Sequence, residues 1–98
     1  RSPVLAIQDV VPATEYRFYP FYGFSGQRVR VRVVGQGEFD PVGALIGPDG
    51  TVLTEVDDTN GDLNPTIIYQ LPTEGTYNVR VNGYIDGGNF EVIVEVLY

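Results

Sequence analysis

The sequence predicts an all-β chain: a single β-sandwich of seven to eight short antiparallel strands with Greek-key or jelly-roll connections. Three observations predict it. Apolar residues alternate with polar ones at period two, most cleanly where Val29, Val31 and Val33 interleave with Arg28, Arg30 and Arg32. Turn signals separate such runs, as in Gly23-Phe24-Ser25-Gly26-Gln27 and Gly47-Pro48-Asp49-Gly50. Val, Tyr, Phe, Ile and Thr dominate, and no segment holds a helical period.

In order, residues 1–11 form an apolar N-terminal arm, ended by Pro12-Ala13-Thr14. The arm is either the first strand or a segment that pairs outside the domain. Its candidate partner-binding residues are Val4, Leu5, Ile7 and Val10. Glu15 to Tyr22 is the next strand. Tyr16, Phe18 and Pro20 share one face, and Arg17, Tyr19 and Phe21 the other. Pro20 belongs at an edge or bulge, because proline has no N–H for a ladder. Such an aromatic run is either a sugar- or peptide-binding surface or half core and half sheet surface, with Phe18 taken as core. Arg28 to Val34 follows. Its valines are core, and its arginines are either an anion-binding face or cross-strand partners of the acids Glu91 and Glu95 in the last strand.

Phe39-Asp40-Pro41-Val42 leads into a strand ending at Ile46, and Thr51 to Glu55 returns from the Pro-Asp-Gly turn to close a hairpin. Thr66 to Leu71 is a strand. Leu71-Pro72-Thr73-Glu74-Gly75-Thr76-Tyr77 reads as a tyrosine corner, in which a tyrosine hydroxyl bonds back to upstream backbone. Tyr77, Val79 and Val81 then face inward, as do Phe90, Val92 and Val94 after a Gly-rich turn. Residues 1–98 make one domain, long enough for a modest core.

Composition excludes several functions. There is no Cys, His or Lys, so thiol nucleophiles, imidazole bases, Schiff bases and thiolate or imidazole metal sites are absent. The net charge of −7 opposes nucleic acid, which needs neutralised phosphates. No apolar run reaches the ~20 residues of a membrane helix. The chain begins at Arg1 without a signal peptide, as a mature product or excised domain does. No pair of carboxylates is set apart as acid and base, so the reading is not an enzyme.

The stretch Glu55 to Asn64 concentrates oxygen ligands. Asp58, Asn60, Asp62 and Asn64 fall at every second position, the rhythm of a calcium loop. The helix-flanked calcium pattern is not met, because Gly61 stands fourth and Tyr69 twelfth. The candidate Ca²⁺ ligands are Asp57, Asp58, Asn60, Asp62 and Asn64, with Asp40 as the remote ligand. The alternative is a solvated turn, built from the same residue types.

Tyr16-Arg17-Phe18, Ser25-Gly26-Gln27-Arg28-Val29, Phe39-Asp40-Pro41-Val42, Gly47-Pro48-Asp49-Gly50-Thr51-Val52-Leu53, Asp57-Asp58, Leu71-Pro72-Thr73-Glu74-Gly75-Thr76-Tyr77 and Val79-Arg80-Val81 occur in that order. In order and spacing they resemble the bacterial pre-peptidase C-terminal domain family. The resemblance implies a non-catalytic extracellular accessory domain of a secreted bacterial protein, often linked to calcium or to polymeric substrate. Collagen-binding relatives carry calcium on an acidic linker before the first strand. Here Ser2 to Gln8 holds no acid, so neither that site nor collagen specificity carries over. Val56 also stands where many relatives have Asn.

Two functions follow as expectations. One is a calcium-stabilised accessory or adhesion domain, secreted, whose partner is a protein or polysaccharide polymer. The other is a structural subunit of an extracellular filament, its partners copies of itself joined by strand addition from the arm.

Overall fold

A computed structural model describes residues 4–58 and 63–98. Eight strands follow from the alternating pattern: β1 (Leu5–Val11), β2 (Arg17–Gly23), β3 (Arg28–Gly35), β4 (Pro41–Ile46), β5 (Val52–Val56), β6 (Thr66–Gln70), β7 (Gly75–Gly83) and β8 (Gly88–Val96). All strand pairs are antiparallel. One sheet has the order β1-β8-β3-β6 and the other β2-β7-β4-β5. The hairpin β4–β5 stays within a sheet, and every other link carries the chain to the opposite one. This is the Greek-key type of sandwich that the pattern predicts.

The hairpin turn is built as its residues require. Gly50 takes φ 87°, its N–H donates to the Gly47 carbonyl at 2.9 Å, and Thr51 N–H donates to Asp49 Oδ1 at 3.0 Å. That hydrogen bond, above all, lowers the Asp49 carboxyl below its ordinary pKa.

The core lies between the sheets. Val29, Val31 and Val33 of β3, Tyr77, Val79 and Val81 of β7, and Phe90, Val92 and Val94 of β8 are buried, with Leu45 and Ile67. Leu53 and Tyr69 pack against it partly buried. Val11, Tyr19, Phe21 and Leu71 also belong to it. Phe18 is a correction: expected in the core, it is 56% exposed. In β2, Tyr19 pairs with Val79 and Phe21 with Tyr77, and directly paired residues share a face. The buried face of β7 therefore draws Tyr19 and Phe21 inward and turns Phe18 out.

The tyrosine corner is present. Tyr77 is fully buried, and its hydroxyl donates to the Thr73 carbonyl at 2.5 Å and accepts from Thr73 N–H at 3.3 Å. On the outer face of the first sheet, Arg30 Nε and Nη2 both donate to Glu95 Oε1, at 3.1 and 2.9 Å. Glu91 instead stands opposite Val34 and Gln8, so only Glu95 of the two expected acids faces an arginine in the register.

The arm occupies the first of its two expected places. β1 pairs along its whole length with β8 of the same chain. Leu5 and Ile7 pack against the core, while Val4 and Val10 are about half exposed. At its far end Asp9 Oδ2 accepts from the Tyr19 hydroxyl at 2.7 Å, and Asp9 Oδ1 from Val10 N–H at 2.8 Å. These bonds hold the Asp9 carboxyl below its ordinary pKa, the Tyr19 hydroxyl being the larger cause. Burial first, and then Asp9, push the Tyr19 phenol well above the usual range.

Candidate functional site

The outer face of the second sheet carries the residues that core packing does not use. β2 is an edge strand, and Pro20 sits in it without breaking a ladder. The inward turn of Tyr19 and Phe21 puts Phe18, Pro20 and Tyr22 outside, with Tyr16 and Phe24 flanking the strand. All four aromatic rings are exposed by 51–56%.

These rings are held in place. Arg80 of β7 pairs in register with Phe18 on one side and Ala44 on the other, and Ala44 with Glu55. Its guanidinium binds the Glu55 carboxylate at 2.5 Å and lies over the Tyr16 ring, 4.9 Å from the centroid. Tyr16 and Phe18 stand 6.4 Å apart, tilted by 45°. At the other end Tyr22 and Phe24 meet edge-on at 5.3 Å. The Tyr22 hydroxyl donates to Glu74 at 2.7 Å, a bond that raises its pKa. Aromatic side chains of this kind supply large contact area at small entropy cost when already fixed.

The proposed calcium ligands are divided. Asp40 and Asp57 line two neighbouring hollows that share Tyr84. The Asp40 carbonyl accepts from Tyr84 N–H at 2.9 Å, and Asn82 pairs with Val42 beside it. Asp40 Oδ1 and Asn82 Oδ1 are both buried without a hydrogen-bond partner. Buried acceptors of this kind call for a donor or a cation. Asp58 is exposed. Asn64 Oδ1 accepts from Gly35 N–H at 2.9 Å, which ties the loop to the end of β3. Asn60 and Asp62 lie outside the described residues. Among the described residues no three acidic side chains converge as a metal site.

Sequence reasoning missed Arg80 and Asn82 as site residues, left the aromatic run that contains Tyr16 open between binding surface and core, and placed Phe18 on the wrong side. In the structure Arg17 sits at the start of β2 and turns to Glu15 at 3.2 Å. Pro20 marked β2 as an edge, but an edge says which hydrogen-bonding side is free and not which face is buried, so no local signal placed Phe18 outside.

A model of the bacterial pre-peptidase C-terminal domain matches residues 15–83. Among solved structures, the chain resembles the pre-peptidase C-terminal domain of a Bacillus anthracis collagenase, with TM-score 0.76, 13% identity, and 97% of this chain and 91% of that one covered. It also resembles periplasmic inhibitors of g-type lysozyme. For Aeromonas hydrophila the TM-score is 0.74 at 13% identity, covering 97% and 87%. For Salmonella Typhimurium it is 0.68 at 18% identity, covering 97% and 88%. At such identities the likeness establishes the fold. No curated protein matches the sequence.

Proposed function

The chain belongs to the bacterial pre-peptidase C-terminal domain family, and from that membership we propose that it is a non-catalytic accessory domain of an exported protein, which binds a partner through the aromatic stripe of β2. The observation that carries this is the set of four half-exposed rings on one face, anchored by Arg80 at one end and Glu74 at the other. Exposed aromatic patches on small soluble domains mark binding surfaces. The rings of each pair are tilted or edge-on rather than coplanar, which suits the side chains of a protein better than the flat face of a sugar ring. Two structural neighbours point the same way: one belongs to a collagenase and the other inhibits a lysozyme.

The test is calorimetric titration with three probes: gelatin, g-type lysozyme and a neutral soluble polysaccharide. The wild type binds one of the protein probes, and Phe18→Ala with Tyr22→Ala weakens that binding at least ~10-fold, about 1.4 kcal/mol. Binding unchanged in the double variant, or seen only with polysaccharide, overturns the reading.

Calcium enters as a stabiliser of the same face. Asp40 and Asp57, with Asn82 beside them, offer hard oxygens, and the buried, unpartnered Asp40 Oδ1 fits a divalent cation. Ca²⁺ there would offset the mutual repulsion of the acids. At free ion near 100 times Kd, binding adds about 2.7 kcal/mol to stability. Melting then falls when a chelator is added, and Asp40→Asn abolishes the difference. Equal melting of the wild type with and without chelator leaves the stretch as a turn.

A further inference from the structure

Among the described residues the ion pairs are Arg17–Glu15, Arg30–Glu95 and Arg80–Glu55. The last belongs to a set of three groups. Arg80 lies over the Tyr16 ring, 4.9 Å from the centroid, while it holds the Glu55 carboxylate. Ring, cation and carboxylate thus meet at one end of the aromatic stripe, all supplied by this chain. The other end offers rings and a carboxylate. Tyr22 and Phe24 are about half exposed, and the Tyr22 hydroxyl donates to Glu74 Oε2 at 2.7 Å. Glu74 is exposed and joins none of the three ion pairs.

This end is fixed by the fold. The Tyr77 hydroxyl bonds both the carbonyl and the N–H of Thr73, which anchors the backbone one residue before Glu74. The turn that carries Phe24 is laced to the same segment. Gly26 N–H donates to the Leu71 carbonyl and Leu71 N–H to the Gln27 carbonyl, both at 2.8 Å. Ser25 Oγ donates to the Pro72 carbonyl at 3.2 Å, and Gln27 Oε1 accepts from Phe24 N–H at 2.8 Å. The Tyr22 and Phe24 rings stand 5.3 Å apart with their planes at 77°, so their faces point in two directions. Groups already held in this way lose little freedom on binding.

The chemistry of the group that fits follows from these neighbours. An aromatic face attracts a cation within ~6 Å of its centroid, and arginine more often than lysine, because the planar guanidinium also stacks on the ring. The guanidinium fork matches a carboxylate, and the Tyr22 hydroxyl holds one at the rim of its own ring. An acidic side chain would be repelled by Glu74, and an apolar one would leave that carboxylate without a partner as it loses water. The net charge of −7 steers a basic partner toward this chain. Resting on the stripe as a protein-binding surface, we infer that the Tyr22–Phe24–Glu74 corner receives an arginine side chain of the partner, as Tyr16 and Glu55 receive Arg80.

Titration of the whole chain with N-acetylarginine amide, followed by NMR, tests it. The amides of N-acetylcitrulline, its neutral isostere, and of N-acetyllysine are the counterparts. Arginine shifts the ring signals of Tyr22 and Phe24 and saturates in the millimolar range. Citrulline leaves them in place, and lysine binds at least ~3-fold more weakly. Glu74→Gln weakens arginine binding at least ~3-fold with unchanged melting. Tyr22→Phe keeps the ring but releases the carboxylate, and it weakens arginine binding as well. Rings that do not respond to arginine, citrulline or lysine acting as strongly, or an unchanged affinity in Glu74→Gln overturns the proposal. Failure of the stripe itself looks different. Arginine bound at the corner with neither gelatin nor lysozyme bound strikes the stripe and leaves the corner, whereas a protein bound through Phe18, with Tyr22 and Phe24 silent to arginine, does the reverse.

Discussion

β2 and β7 lie side by side and share seven residue pairs, yet they could not have been read with equal ease. In β7 the two faces differ chemically: Tyr77, Val79 and Val81 against Asn78, Arg80 and Asn82. Burial follows the alternation without ambiguity. In β2 both faces are aromatic, Phe18 and Tyr22 against Tyr19 and Phe21. Hydrophobicity alone then leaves the two orientations nearly equal in energy, and the register against β7 chooses between them. An aromatic strand that satisfies the core with either face has a face to spare, and here the spare face is the candidate site.

The comparison breaks most visibly at Phe21. It is buried and stacks on Tyr77 at 5.7 Å between centroids. Phe21→Ala should cost about 3–5 kcal/mol by lost transfer energy and a cavity, read from urea unfolding. A loss no larger than that of Phe18→Ala would mean that β2 presents its other face.

Tyr77→Phe comes next. It leaves the ring in place and strands the Thr73 carbonyl and N–H, so about 1 kcal/mol is expected. Unchanged stability would reduce the corner to ring packing.

Acid titration tests the point where β1 meets β2. The depressed Asp9 pKa stabilises the fold above the ordinary aspartate pKa of about 3.9, and that contribution is lost as pH falls through the lower folded value. Asp9→Asn should therefore be less stable than wild type at neutral pH, with the gap closing below pH ~4. A gap independent of pH would show that the Tyr19 hydroxyl does not depend on the charge.

The smallest effect on stability belongs to Phe18→Ala, within about 0.5 kcal/mol, as for exposed positions generally. Its weakened partner binding, against an unchanged melting temperature, is the sharpest separation of the two faces of β2.

Much of the fold was legible because it rests on local rules. Strands with unlike faces, the Pro-Asp-Gly turn and the tyrosine corner each carry their own chemistry in a few adjacent residues, and each stands where expected. The site was less legible. Arg80 reads locally only as an outward cation between Asn78 and Asn82. Its place over Tyr16 depends on β7 lying between β2 and β4, residues remote in the chain. Asn82 carried no signal at all, since its oxygen is left buried and unpartnered only once β4 pairs with β7 and sets Val42 opposite it. Conversely, Asn64 fitted the calcium rhythm, but its oxygen accepts a hydrogen bond from Gly35, a contact no spacing rule contains.

By itself the sequence determined the fold class, the turns, the inward faces of β3, β7 and β8, and the absence of thiol and imidazole chemistry. These depend on residue type and period two, which are properties of the chain alone. Tertiary structure decided which face of β2 is buried, where the arm pairs, and which cation lies over the exposed rings. Those outcomes depend on which strands become neighbours, and sheet order is set by contacts between segments far apart in sequence.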